Sequence, residues 1–269
     1  MKRILVPVDF SDIAINAYKY AVSMGEDLNA EIGLLHVFHI PYIHSEMPAD
    51  VYTKAIEEEK EESMEKLKAL IKNISYPPEK ISVEAELGFA VDEILRLSDD
   101  YDMVIMGTHG ASNIAESIMG SVTSAVLEKS KIPVLAIPEA VNYTKPERIL
   151  FASDLDKSEV EGLKRISDIA ALFKAEVSAL HVYDDELDRD KYRKLENAIE
   201  ADPHINNVAF DFIQHDRVSE GINTYLQKYE HQIVVSWRRK RNLFESLFHK
   251  SMTKKLSFHS KKPLMVIHE

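Results

Sequence analysis

At 269 residues, 45% of them hydrophobic, the chain is long enough for two globular domains of ordinary size. A net charge of −12 disfavours general binding of nucleic acid, whose phosphates need a basic face. The absence of cysteine removes disulfides, thiol catalysis and thiolate metal sites, and no apolar run reaches the roughly 18 residues of a membrane span. The start, Met1-Lys2-Arg3, reaches charge too early for a signal peptide, so a cytoplasmic protein without membrane association is expected.

Lys2 to Val8 reads as a first strand. Asp9-Phe10-Ser11-Asp12 follows, with Ser11 or Asp12 placed to cap a helix in which Ile13, Ala17, Tyr20, Ala21 and Met24 recur at helical spacing. Glu31 to Phe38 is a second strand, hydrophobic enough to be buried on both faces. A loop over 39–50 leads to an acidic helix from Val51 to Asn73, whose Glu57, Glu58, Glu59, Glu61, Glu62 and Glu65 form a solvated face. The third strand is Ile81 to Leu87; after Gly88 comes a helix with Val91, Ile94, Leu95 and Leu97 inside. Asp102 to Met106 and Pro133 to Ile137 complete five strands, each separated from the next by a helix. That alternation implies a parallel sheet covered on both faces, with ligands seated beyond the carboxyl ends of the strands. Asp9, Val37 and Gly107 all lie at such ends.

Of eight glycines in the chain, Gly107, Gly110 and Gly120 fall within one loop, between the fourth strand and a short helix opening at Ser121. Glycine permits positive φ and a close approach of ligand to backbone, and a helix start offers free N–H groups, so the expected occupant is an anion such as phosphate. The alternative is a tight turn with no ligand. The loop is not a Walker A motif, because no Gly-Lys-Ser/Thr follows, and its spacing is not the dinucleotide fingerprint.

From residue 146 the chain begins again. Moving Arg3–Phe38 by 145 places gives ten identities in 36, among them Arg148, Ile149, Leu150, Asp154, His181 and Val182. A shift of 130 lays Val104, Ser121, Thr123, Pro133 and Ile137 on Val234, Ser251, Thr253, Pro263 and Ile267. The expected architecture is α/β, with two tandem Rossmann-like domains at 1–140 and 146–269 joined by a linker at 141–145. Each would be an open five-stranded parallel sheet with helices on both faces.

The spacing G-x2-G-x9-G-S, with Val6-Pro7-Val8-Asp9 before it, resembles the nucleotide loop of the universal stress protein family, and the repeat extends that resemblance to a tandem pair of such domains. The resemblance implies an ATP-binding, nucleotide-sensing regulator of the stress response, taking ATP or another adenine nucleotide, with Mg²⁺ where a triphosphate carries it. Carried over residue by residue, Pro7 and Asp9 stand near the adenosine, the main chain of Val37 meets the adenine edge, and Met106 and Gly107 border the sugar and phosphates. His109, Gly110, Gly120, Ser121, Val122 and Thr123 complete the phosphate loop, with the hydroxyls of Ser121 and Thr123 sharing the phosphate charge. The fifth strands would meet as an internal pseudo-dimer, which two chains could extend into a homodimer, and an unidentified regulatory protein is the implied partner.

In the second half Phe151, Ala152 and Ser153 replace Val6, Pro7 and Val8, while Trp237, Lys240 and Lys250 replace the three glycines. It is therefore expected not to bind ATP in the family manner. From Trp237 to Lys262 nine Lys and Arg face one acid, so Arg238, Arg239 and Arg241 mark an anion- or partner-binding loop, or else a solvated basic one. Dedicated catalysis is not expected, since no general base is spaced about His109 or Ser121; the competing readings are a slow ATPase, a protein that phosphorylates its own Ser121, and a scaffold with structural nucleotide. No metal site is expected either, because strand alternation puts His36 and His39 on opposite faces.

Overall fold

The structure, a computed structural model, describes residues 1–39, 49–72, 74–109, 119–205, 207–238 and 262–269. The first half holds β1 (Arg3–Pro7), α1 (Asp12–Leu28), β2 (Glu31–Phe38), α2 (Ala49–Lys72), β3 (Ile81–Leu87), α3 (Ala90–Ser98), β4 (Met103–Gly107), α4 (Ser121–Lys129) and β5 (Val134–Ile137). The second holds β6 (Arg148–Ser153), α5 (Glu159–Phe173), β7 (Glu176–Tyr183), α6 (Arg189–Glu200), β8 (Val208–Gln214), α7 (Val218–Lys228), β9 (Ile233–Arg238) and β10 (Leu264–His268).

All ten strands form one sheet, in the order β3-β2-β1-β4-β5-β10-β9-β6-β7-β8. Neighbours within each wing of five are parallel; at the junction β5 and β10 run antiparallel, with Leu264, Met265 and Val266 opposite Ala136, Leu135 and Val134. The two five-stranded sheets anticipated from sequence are thus wings of a single sheet, joined through their fifth strands.

Alternation along each strand decides which layer a side chain enters. Ile4, Val6, Ile105, Leu135 and Ile137 face one way, onto Ala17, Tyr18 and Met24 of α1 and, across the junction, Leu163 and Ile166 of α5. Leu5, Val104, Val134 and Ala136 face the other way, toward Ile94 of α3, Val126 and Leu127 of α4 and Ile222 of α7. Both layers run unbroken through both halves, and every residue of β4 and β5 is buried. Each fully buried aliphatic side chain contributes roughly 1.5–3 kcal/mol relative to exposure.

The duplication is visible in the backbone as well as in the letters. Positive φ occurs at Phe10 and at Leu155, 145 residues on, and again at Asn29 and Lys174, also 145 apart. Asn29 and Lys174 end α1 and α5 in the left-handed conformation, where their N–H groups close onto carbonyls of the last turn. His36 and His181 set Nδ1 on the carbonyls of Val8 and Ser153, each at 2.8 Å. A carbonyl only accepts, so Nδ1 carries the hydrogen in both. Among the described residues no helix is long and apolar enough to cross a membrane.

Candidate functional site

At the carboxyl ends of the first wing lies a cavity of about 320 Å³, within the range typical of small-molecule sites. It opens because β1 stops at Pro7 while β2 continues to Phe38. The N–H of Val8 reaches the Leu35 carbonyl at 2.8 Å. Val37, two residues further, turns its main-chain groups to the same side, past the end of β1 and into the cavity wall. Asp9 sits at the rim, where its Oδ1 accepts from the N–H and hydroxyl of Ser11 at 3.1 and 2.6 Å. Those two bonds fix the turn that the positive φ of Phe10 begins.

The opposite wall is the loop and helix that follow β4. Met106, Gly107, His109, Gly120, Ser121, Val122 and Thr123 all line the cavity, together with Pro7, Asp9 and Val37 from the earlier strands. α4 has Gly120 at its N-cap, a residue without a side chain to cap the amides of the first turn. His109 sets Nδ1 3.0 Å from the Thr108 hydroxyl, and among the described residues its buried Nε2 has no hydrogen-bond partner. Open helix amides and an orphaned imidazole nitrogen on one wall suit an anionic or polar ligand. Val8, Ala14, Leu35, Ala90 and Ile94 supply apolar lining that sequence reasoning missed. Helical and strand periodicity mark such residues as core and do not distinguish the core from a pocket wall.

Two expectations are corrected. Gly107 and Gly120 do not serve by positive φ, since no described glycine has one and Gly120 sits at φ −57°, ψ 151°. Gly107 is small because α1 crosses there: an added Cβ would stand 2.6 Å from Ile13 Cγ2 and 3.2 Å from the Ile13 backbone. The Thr123 hydroxyl, assigned to phosphate, donates instead to the Gly107 carbonyl at 2.8 Å and ties the start of α4 to the end of β4. Gly110, Arg239 and Arg241 lie outside the described residues. Arg238 is described at the end of β9, where its guanidinium meets the carboxyl end of α4, the end away from the cavity.

The matching region of the second wing is built differently. Glu159 occupies the position of cavity-lining Ala14, fully buried, and accepts from the Ser153 hydroxyl at 2.6 Å and the Asp154 N–H at 2.7 Å. Trp237 stands at the Gly107 position and turns its buried indole onto Gly162 of α5, the counterpart of Ala17. One lobe sets a glycine on the strand against larger residues on the helix, and the other reverses the sizes.

The model of the universal stress protein family matches residues 1–138. A universal stress protein of Methanocaldococcus jannaschii is 30% identical over 140 residues, covering 51% of this chain and 81% of that protein. One from Helicobacter pylori is 32% identical over 140 residues, covering 49% and 97%. The crystal structure of a universal stress protein from Archaeoglobus fulgidus follows 99% of this chain and 96% of its own, with a TM-score of 0.72 at 22% identity, so the tandem fold extends through both halves. With its amino-terminal half matched by the family model and both halves folded alike, the chain belongs to the universal stress protein family.

Proposed function

We propose that the first lobe binds one adenine nucleotide, ATP or another adenylate, and acts as a nucleotide-responsive regulator in the stress response. The observation that carries this reading is the pairing, in one cavity, of an apolar recess bordered by Val37 with the uncapped start of α4. In this reading adenine lies between Leu35, Ile94 and Met106 and takes its hydrogen bonds from the main chain of Val37. The phosphates meet the amides of Ser121, Val122 and Thr123, with Ser121 Oγ and His109 Nε2 as side-chain partners. Any Mg²⁺ would arrive with the triphosphate and add positive charge beside it.

The second lobe, from about residue 146, binds no nucleotide in this manner. The fully buried side chain of Glu159 stands where Ala14 lines the first lobe's cavity and already takes the strand-end donors, the Ser153 hydroxyl and the Asp154 N–H, which a nucleotide would otherwise meet. Isothermal titration tests both statements. The expected result is one ATP per chain, weakened at least tenfold in Gly120→Val, whose added side chain enters the cavity without backbone strain at φ −57°. Two equivalent sites, or no adenylate affinity, would overturn the reading.

A further inference from the structure

α4 is only nine residues long, and its two ends belong to different parts of the molecule. Ser121 opens into the cavity; about 13 Å away the helix finishes against the second lobe. The last carbonyls of a helix have no partners within it, and Ser130 beyond α4 is not in the left-handed conformation that would fold the chain back onto them. Partners come from β9 and β10 instead. Arg238 donates to the carbonyls of Leu127 and Glu128 and pairs with the Glu128 carboxylate at 3.1 Å. His268 Nε2 donates to the Leu127 carbonyl at 2.8 Å. Arg165 of α5 braces the pair from behind, donating to the His268 carbonyl at 2.8 Å.

By the 130-residue offset the counterparts of Arg238 and His268 are Thr108 and Pro138, neither of which offers a cation. A guanidinium at the carboxyl end of a helix also complements the helix dipole, whose opposite pole faces the cavity. Within the first lobe the start of α4 is fastened by Thr123 to Gly107 and by the Gly120 N–H to the Thr108 carbonyl at 2.8 Å. The far end is fastened by the second lobe.

We infer that Arg238 and His268 are positioning residues for the first lobe's ligand. The lobe that lost its own site holds α4 by the tail, and so sets where the amides of Ser121, Val122 and Thr123 stand. This deepens the adenine-nucleotide reading and rests on it. The test is calorimetric titration of the full chain with ATP and, separately, with adenosine, in the native sequence, Arg238→Gln, His268→Leu and His268→Gln. Arg238→Gln and His268→Leu should weaken ATP roughly tenfold and leave adenosine within about twofold, because only the phosphates meet α4. His268→Gln, which keeps a donor, should restore most of the loss. Hydrogen exchange without ligand should quicken over Ser121–Lys129 in Arg238→Gln while β1 and β2 keep their protection. Equal loss for ATP and adenosine would mean a merely structural role and overturn the inference, as would ATP affinity unchanged in both Arg238→Gln and His268→Leu. Native protein that binds neither ligand would overturn the nucleotide reading itself and this inference with it.

Discussion

Gly162→Ala tests how tightly Trp237 packs against α5 in the second lobe. A Cβ at that position would stand 2.6 Å from Trp237 Cδ2, 2.7 Å from Cε3 and 2.9 Å from Cγ, all atoms of a ring buried to 1% exposure. Contacts that short do not persist, and forcing extra volume into a packed core costs about 1–3 kcal/mol. Helix propensity acts the other way, since alanine inside a helix improves on glycine by about 1 kcal/mol. In the native background the substitution should therefore lower stability by up to about 2 kcal/mol. In a Trp237→Leu background the ring is gone and the same substitution should raise stability by up to about 1 kcal/mol. The assay is a four-member urea cycle, with a coupling of about 1–3 kcal/mol expected between the two positions. If Gly162→Ala stabilises both backgrounds equally, the reasoning about complementary sizes across strand and helix is refuted.

Acid should weaken the fold. Burial, as the leading cause, holds His181, His231 and His268 below the ordinary imidazole value of 6.5. The unfolded chain takes up those protons first, so their contribution is fully present above about pH 6.5 and is lost as pH falls through the lowered folded values. The urea midpoint should drop between about pH 7.5 and 5.5, and a flat midpoint over that window would contradict the assignment. Thr123→Val keeps the shape of a buried side chain but removes its hydroxyl bond to the Gly107 carbonyl, which should cost about 1–3 kcal/mol, with Thr123→Ser losing much less. Equal stability of the valine and serine variants would show that the bond does not hold α4.

The architecture was legible because it is written in local signals. Buried strands are near-continuous apolar runs, the alternation with helices forces a parallel sheet, and a ten-in-36 identity at one offset exposes the duplication. Cavity residues at strand ends, such as Asp9, Val37 and Gly107, were legible for the same reason. What escaped depends on contacts between distant elements. Gly107 is dictated by the approach of Ile13, ninety-four positions earlier, which no loop pattern records. Ala14 and its replacement Glu159 matter because of the cavity beside them, while their spacing alone marks only a helix interior. The basic run that begins at Arg238 suggested a surface for anions; the first of its arginines meets the end of a helix 110 residues away, and charge count carries no information about such a partner.

Where identical copies associate about a twofold axis, any change of sequence arrives on both sides at once. Here β5 and β10 meet as two such copies would, but both belong to one polypeptide. A tryptophan, a glutamate and an arginine can therefore stand on one side where the other has Gly107, Ala14 and Thr108. Covalent linkage also makes the encounter independent of dilution, so the inner strand edges stay covered however scarce the molecule becomes. Abundance then has no bearing on whether the opening keeps its neighbour, a freedom that separately made copies would lack.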